Sequence, residues 1–584
     1  MAYFAEKTEP SEVFLEKVED TEHRETASDK VLDSPTISDE EDLNFKWTFD
    51  VITTIIACTA TYFAAIFATV APSGAIAFII LSFPEEAEND IWIAAATTVT
   101  GCVLQAFCGD LSDQLGRKTP ILAGMILGVT GTILAGRAAS LTMVIGGQVL
   151  SGIGLTLGYL CVPLLQEIVP KDKRPTVMAI SGAFAGIAYS TGNVISGAFI
   201  NADVGGPNEG WRCAFYVSAA LYALGFILIA IFYHPSPRPN PENLSIAKRL
   251  AKIDWIGVFL IAAGLSIFLV GLQSGGNPTP WVSARVIACM VIGFILFVTF
   301  CTWEWRGTSN GIMAHSLFGH CNFAVILALC FVGGMTLFGG QAFLPQEVIY
   351  LFTSDALLTG VWGLPFNMGT VVGGIIGGIW FAITKEAKPI IIFTFAFLIL
   401  GNCLMLIVKP HVQFAAWFFP SGIMGVAVGI QTTVLLVAVT LCTPDHLIAA
   451  ATSLSQSVRG LGGSIGVVIF SQIFTSKVKV LVPGEIAKRT IEAGLPISSV
   501  ESLVGAIMLN NPVLTEHVPG ITPQILSAAR EALRDGYSNS FKYVWYSLIP
   551  FAVASIGLSF LLRSTKAQMT NTVAASIEHR RSRM

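Results

Sequence analysis

Residues 109–118 read GDLSDQLGRK, and their spacing suits one kind of chemistry, the reversible pairing of charges. Asp110, Asp113 and Arg117 stand at i, i+3 and i+7, so a continuing helix places all three on one side of its end. Charges at a membrane boundary tend to be paired, and a pair can differ between two states, so the stretch reads as a breakable ionic latch. A solvated turn is the plainer alternative. Gly109 allows a second helix to approach and Gly116 permits a sharp reversal of the chain. Arg117 and Lys118 are expected to face an anionic leaflet.

A second polar feature is Arg459, followed by Gly460, Gly462, Gly463 and Gly466 in RGLGGSIG. An arginine inside an apolar stretch faces a bundle interior or a wet cavity, or else snorkels to the surface. The glycines let another helix come close, which suggests a gate or a packing partner. Glu167, Glu347 and Asp355 fall near the ends of apolar stretches and read as solvated boundary charges rather than proton carriers. Asp445 and His446 precede an apolar run, where His446 titrates near neutral pH or Asp445 caps a helix.

Other chemistries find no support. The chain has no G-x-x-x-x-G-K-[ST] loop, no HExxH and no C-x-x-C pair. Enzymatic activity, a metal, a bound cofactor and a nucleic-acid partner are therefore not expected, and an ion gradient, protons by default, remains as the energy source. The 11 cysteines all fall in or beside apolar segments and read as small apolar packers.

These residues must be positioned by membrane-spanning helices. The chain of 584 residues is 53% hydrophobic and 12% charged, about half the charge of ordinary soluble domains. Apolar windows of about 20 residues predict spans near 51–82, 91–111, 119–137, 141–165, 176–200, 211–233, 254–273, 283–303, 321–346, 357–383, 389–408, 413–442, 448–475 and 541–562. The fold class is thus an all-α membrane protein with fourteen spans. The first and twelfth exceed what a bilayer needs, so tilt, a kink at Pro72 or an extension beyond the membrane must absorb the excess.

Lysine and arginine fix the expected orientation. With the N-terminus inside, cytoplasmic loops hold Arg117, Lys118, Lys171, Lys173, Arg174, Arg238, Lys248, Arg249, Lys252, Arg306, Lys385 and Lys388, against Arg137, Arg212, Arg285 and Lys409 in short outer loops. The basic C-terminus, EHRRSRM, agrees with cytoplasmic termini. Residues 1–46 carry 14 acidic against 5 basic residues and are expected to form a disordered acidic cytoplasmic tail, in which Ser34, Thr36 and Ser38 are candidate phosphorylation sites. The sequon at Asn243 falls in a cytoplasmic loop and is expected to stay unglycosylated. Within the outer segment 476–540, EIAKRTIEAGL and PQILSAAREALRDGY predict short amphipathic helices lying on the protein or membrane surface.

A weak internal echo links the halves: Gly109 precedes Arg117 by the same eight positions that separate Gly377 from Lys385. Duplicated six-helix halves would leave such a trace. The expected organisation is an N-terminal bundle at 47–235, a linker and inserted helix pair at 236–305, a C-terminal bundle at 306–562 and a basic tail at 563–584.

GDLSDQLGRK resembles the G-x-L-a-D-r-x-G-r-k signature of the major facilitator superfamily at Gly109, Leu111, Asp113, Gly116, Arg117 and Lys118. Fourteen spans with an inserted pair resemble its fourteen-helix drug:proton antiporter branch. YHPSPRP, QEVIYLFTSDALLTGVWGLPF and TPDHLIAAATSLSQSVRGLGGSIG look most like the fungal trichothecene efflux pump group, a neighbour of the siderophore transporters, over about residues 45–563. The resemblance implies the major facilitator fold, with Asp113 meeting a helix end of the opposite half and Arg117 joining the same latch. It implies substrate contacts from spans one, four, nine and twelve, which nominates Tyr62, Gln148, Tyr159, Gln341 and Gln431.

Four positions depart from the branch. Gln148 stands where arginine is usual before the retained Gly152 and Gly154; a neutral amide cannot tune a neighbouring acid by charge. In span five GNVISG keeps Gly192 and Gly197, with Asn193 in place of proline and Ser196 in place of glycine. Phe63, nine positions before Pro72, stands where many drug pumps carry an acid. The reading is a monomeric plasma-membrane exporter of a small amphipathic secondary metabolite or toxin, driven by proton antiport, with vacuolar or vesicle membranes as other locations. A siderophore-iron importer of the same fold is the alternative. A transporter-like nutrient receptor is a third reading, disfavoured because tails of about 46 and 22 residues are short for signalling.

Overall fold

In a hydrocarbon layer every backbone amide and carbonyl must find its partner within the chain, which leaves the helix as the form for isolated apolar segments. Among its described residues, the computed structural model has 14 helices long and apolar enough to cross a membrane. It describes Phe45 and residues 47–89, 92–206, 209–235, 248, 251, 253–276, 279–308, 311–313, 315–319, 321–353, 355–410, 414–508, 514 and 517–569. The acidic tail up to residue 44, its candidate phosphorylation sites, the sequon at Asn243 and residues 570–584 lie outside the described residues.

The helices are α1 (Phe49–Ser73), α2 (Trp92–Leu115), α3 (Lys118–Gly136), α4 (Leu141–Gly158), α5 (Arg174–Asn201), α6 (Trp211–Phe232), α7 (Trp255–Ser274), α8 (Ala284–Arg306), α9 (Cys321–Leu351), α10 (Ala356–Thr384), α11 (Ala387–Met405), α12 (Phe414–Leu441), α13 (Ile448–Glu492) and α14 (Pro523–Ser559). Each corresponds to one predicted span. Hydroxyl and carboxylate N-caps start several of them: Thr48, Ser140, Asp254, Asp355 and Thr522 each accept an amide of the first turn. The long first span breaks just after Pro72, where α1 ends and a separate helix, Ile76–Ser82, begins.

Packing repeats. Helix α1 packs on α5 and α6, α2 on α4, and α3 on α4 and α6; likewise α9 packs on α13 and α14, α10 on α12, and α11 on α12 and α14. Two six-helix bundles share one plan and meet along α2 with α13 and α5 with α10. The inserted pair α7 and α8 pack on each other, and α7 lies against α2 and α13. Its Ile261, Leu265 and Leu269 join Cys102 and Val103 of α2 in one apolar cluster. Isoleucine, leucine and phenylalanine on the outer faces, among them Ile227, Phe259, Phe294 and Ile379, are exposed, as a lipid-facing surface requires.

The segment 476–540 corrects its expectation. EIAKRTIEAGL and PQILSAAREALRDGY are not separate surface helices but the far end of α13 and the start of α14. At 45 residues, α13 is roughly 68 Å long, more than twice a hydrocarbon layer. Pro483 and Gly484, a pair that ordinarily ends or kinks a helix, are accommodated within it. The two extensions and a helix at Ile497–Met508 bury Val482, Ile486, Leu503, Ile525 and Ala529 in a core of their own.

Candidate functional site

The charged stretch ends α2 and turns into α3, with Gly116 at φ +85 making the reversal. Arg117 is 3% exposed, with its Nη2 2.6 Å from Asp113 and 2.5 Å from Glu167. Its Nε donates to Glu167 at 3.2 Å and its Nη1 to Ser112. Burial opposes the charge on Arg117, but Glu167 and Asp113 outweigh it and raise the guanidinium's pKa above its usual value. Arg117 therefore does not face a leaflet, because two carboxylates draw it inward. Lys118 donates to the carbonyls of Ala230 and Tyr233 at 3.0 and 2.7 Å, at the end of α6. Asp110, half-buried on α2, lies near Asp254 and Glu304 of the inserted pair.

The two ion pairs of Arg117 lie within one half. Arg117, Asp113 and Glu167 all come from the N-terminal bundle, so Arg117 does not bridge the halves. A cross-half ion pair forms instead at Asp445, 3.1 Å from Lys171 and 3.6 Å from Arg174. Thr440 adds a 2.7 Å bond to Gln166, and Arg174 Nη1 donates to the Thr440 carbonyl at 3.3 Å. Asp445 is not the cap of α13, whose N-cap is Leu447. Gly109 sits against Ala449 and Ala450, in the first turn of α13, with no room for a Cβ.

The opposite end is also closed. Asn201 donates to both carboxylate oxygens of Asp355 at 3.0 Å, joining α5 to the cap of α10. The Leu358 amide and Asn201 hold the Asp355 carboxyl below the usual carboxylate range. Gly197 approaches the Ala356 backbone, and Gly192 lies against Val70 and Ala71 of α1. The Asn193 side chain faces Gly74, at the break after α1.

Between these ends lies a polar centre. Tyr62 of α1 and Tyr159, just beyond α4, meet edge to face with centroids 5.2 Å apart. The Tyr159 hydroxyl is also near that of Tyr189 from α5, and Arg459 lies within electrostatic reach of all three tyrosines. Arg459 is 9% exposed and donates from Nη2 to Thr432 Oγ1 at 2.5 Å, so it does not snorkel. Gln431 accepts from Thr336 at 3.4 Å. Gln431, Thr432, Gln456 and Arg459 border one small crevice. Gly462, Gly463 and Gly466 press α13 onto Phe331, Phe338 and Met335 of α9.

Two nominated glutamines lie elsewhere. Gln148 Nε2 donates to the Ile93 carbonyl at 3.0 Å and ties α4 to α2; Gly152 packs on Thr97 of α2 and Gly154 on Gly128 of α3. Gln341 donates to Asn367 at 2.9 Å, whose amide reaches the Tyr189 carbonyl at 3.4 Å. Sequence reasoning missed Tyr189, Thr432, Thr336 and Asn367, since an isolated hydroxyl or amide in an apolar helix gives no spacing signal. It also underrated two acids. Glu167 is 4% exposed and Glu347 2%, the latter accepting from the Trp545 indole of α14 at 3.0 Å.

The fold of solved transporters matches this arrangement. A proton:xylose symporter, XylE, aligns with TM-score 0.56 at 12% identity over 90% of this chain and 98% of its own. A bacterial homologue of the lysosomal transporter Spinster aligns with TM-score 0.54 at 14% identity, with the same coverage. The trichothecene efflux pump TRI12 of Trichoderma arundinaceum is 26% identical over 547 residues, 90% of this chain and 88% of its own length. The efflux transporter aclA of Aspergillus oryzae is 25% identical over 82% and 84%. The profile of the fungal trichothecene efflux pumps (TRI12) spans residues 24–583, and this major facilitator transporter with fourteen membrane helices belongs to that family.

Proposed function

We propose that the chain exports a small amphipathic secondary metabolite or toxin across the plasma membrane by proton antiport, its two bundles opening the centre to either side in turn. The observation that carries this reading is the tyrosine, amide and arginine cluster between the bundles, closed at one end by Lys171, Arg174 and Asp445 and at the other by Asn201 and Asp355. Aromatic walls with a few polar groups suit a bulky oxygen-bearing ligand. The basic end, which carries Arg117, Lys171 and Arg174, faces the cytoplasm in this reading.

Glu347 is the proton carrier in this scheme. Of the buried carboxylates among the described residues, Glu167 pairs with Arg117 and Glu304 accepts the amides of Ile312 and Met313, whereas Glu347 meets the neutral Trp545 indole. Lys542, the charge acting on Glu347, donates to Asn539 at 2.9 Å. A carboxyl without an ion pair in apolar surroundings can exchange charge for a proton without breaking a salt bridge.

The test is efflux of a labelled trichothecene-type toxin and uptake of a labelled ferric hydroxamate siderophore in yeast expressing the protein, with and without a protonophore. The expected result is protonophore-sensitive loss of toxin from preloaded cells, reduced at least tenfold in Glu347→Gln at equal protein level. Iron accumulation without toxin efflux would overturn export in favour of siderophore import.

A further inference from the structure

Three cations are buried among the described residues: Arg117, Arg174 and Arg459. The first two have carboxylate partners in Glu167 and Asp445. Arg459 has a hydroxyl, Thr432, and neutral neighbours in Tyr62, Tyr159 and Tyr189. It stands eleven residues into α13, about 17 Å along its axis, inside the apolar stretch of that span. A charge held there without a counter-ion is costly. A second donor looks into the same crevice: Gln431 is 2% exposed, its Oε1 accepts from Thr336, and its Nε2 has no acceptor.

We propose that this crevice is an anion subsite, in which Arg459 is the counter-ion for a carboxylate or similarly acidic oxygen on the transported molecule. The guanidinium offers a planar fork matched to two carboxylate oxygens, and the Gln431 amide supplies a further N–H. The apolar body of the ligand lies against the rings of Tyr62 and Tyr159. The substrate class is thus an amphipathic organic acid. The direction of its movement rests on the export reading; its binding does not.

The test uses the purified full-length protein in lipid nanodiscs at pH 7.4, with equilibrium binding of labelled 1-naphthylacetic acid and its neutral isostere 1-naphthylacetamide. The wild type is expected to bind the acid at least tenfold more tightly than the amide. Arg459→Gln should bind the two equally, Arg459→Lys should keep part of the preference, and Gln431→Leu should weaken acid binding about threefold. Equal binding of acid and amide by the wild type, binding of neither, or an undiminished preference in Arg459→Gln would overturn the anion subsite. The wild-type comparison and Gln431→Leu decide the matter if Arg459→Gln does not fold. Toxin efflux without acid preference would leave export standing and remove the subsite; acid preference without toxin efflux would do the reverse.

Discussion

Arg117 shows what a motif means at the scale of the residue. A guanidinium between Asp113 and Glu167 is stable only while both carboxylates are present, because each offsets the cost of burying the charge. Glu167→Gln removes one, and the expected loss is about 3 kcal/mol of stability, read as a lowered thermal midpoint of the purified protein. An unchanged midpoint would mean that Asp113 alone satisfies Arg117. The sequence displayed Asp113 and Arg117 at once, since they share a ten-residue motif. Glu167 lies fifty positions away, at the end of a short helix (Cys161–Glu167) that follows α4, and only the packing of that helix beside the α2–α3 turn brings it to Arg117.

At the scale of the element, glycine sets how closely the bundles meet. Gly109 of α2 lies against Ala449 and Ala450 of α13, and Gly197 of α5 against Ala356 of α10. A methyl group at Gly109 would fall on the Ala449 carbonyl, forcing the helices apart where the basic end closes. Gly109→Ala is expected to lower efflux at least tenfold at normal protein level in the membrane. Gly146→Ala, whose Cβ would enter open space, should leave efflux unchanged; equal effects of the two would refute the packing argument. The helices themselves were legible from hydropathy because each spans the layer alone. The reach of α13 and α14 beyond it was not, since an amphipathic stretch looks the same whether it starts a new helix or continues one.

At the scale of the molecule, both ends of the path between the bundles are shut, and the pH response of the Asn201–Asp355 end follows from its carboxyl. Asp355 has its carboxyl pKa depressed by the Leu358 amide and Asn201, so what its ionised form contributes is complete above the unfolded value of about 3.9. That contribution is lost only as pH falls through the lower folded value. The Asn201–Asp355 clasp should therefore hold from about pH 5 to 7.5. Spin labels at Val204 and Leu358, both exposed, should keep one distance distribution over that range. A distribution that broadens at pH 5 would show that the clasp is not held by Asp355.

The amino-acid sequence alone determined the membrane class, the fourteen spans, the position of the turn at Gly116 and the family signature, because hydropathy, glycine punctuation and short motifs are local properties of the chain. It did not determine which charges meet. That Arg117 closes on Glu167, that Asp445 reaches Lys171 and Arg174 across the bundles, and that Gln148 turns to the Ile93 carbonyl were settled by tertiary packing. So was the company of Arg459, whose neighbours come from α1, α4, α5 and α12. A side chain's charge and size are written at its own position, but its partner depends on which helix faces pack together, and that is decided by the shape of the whole assembly.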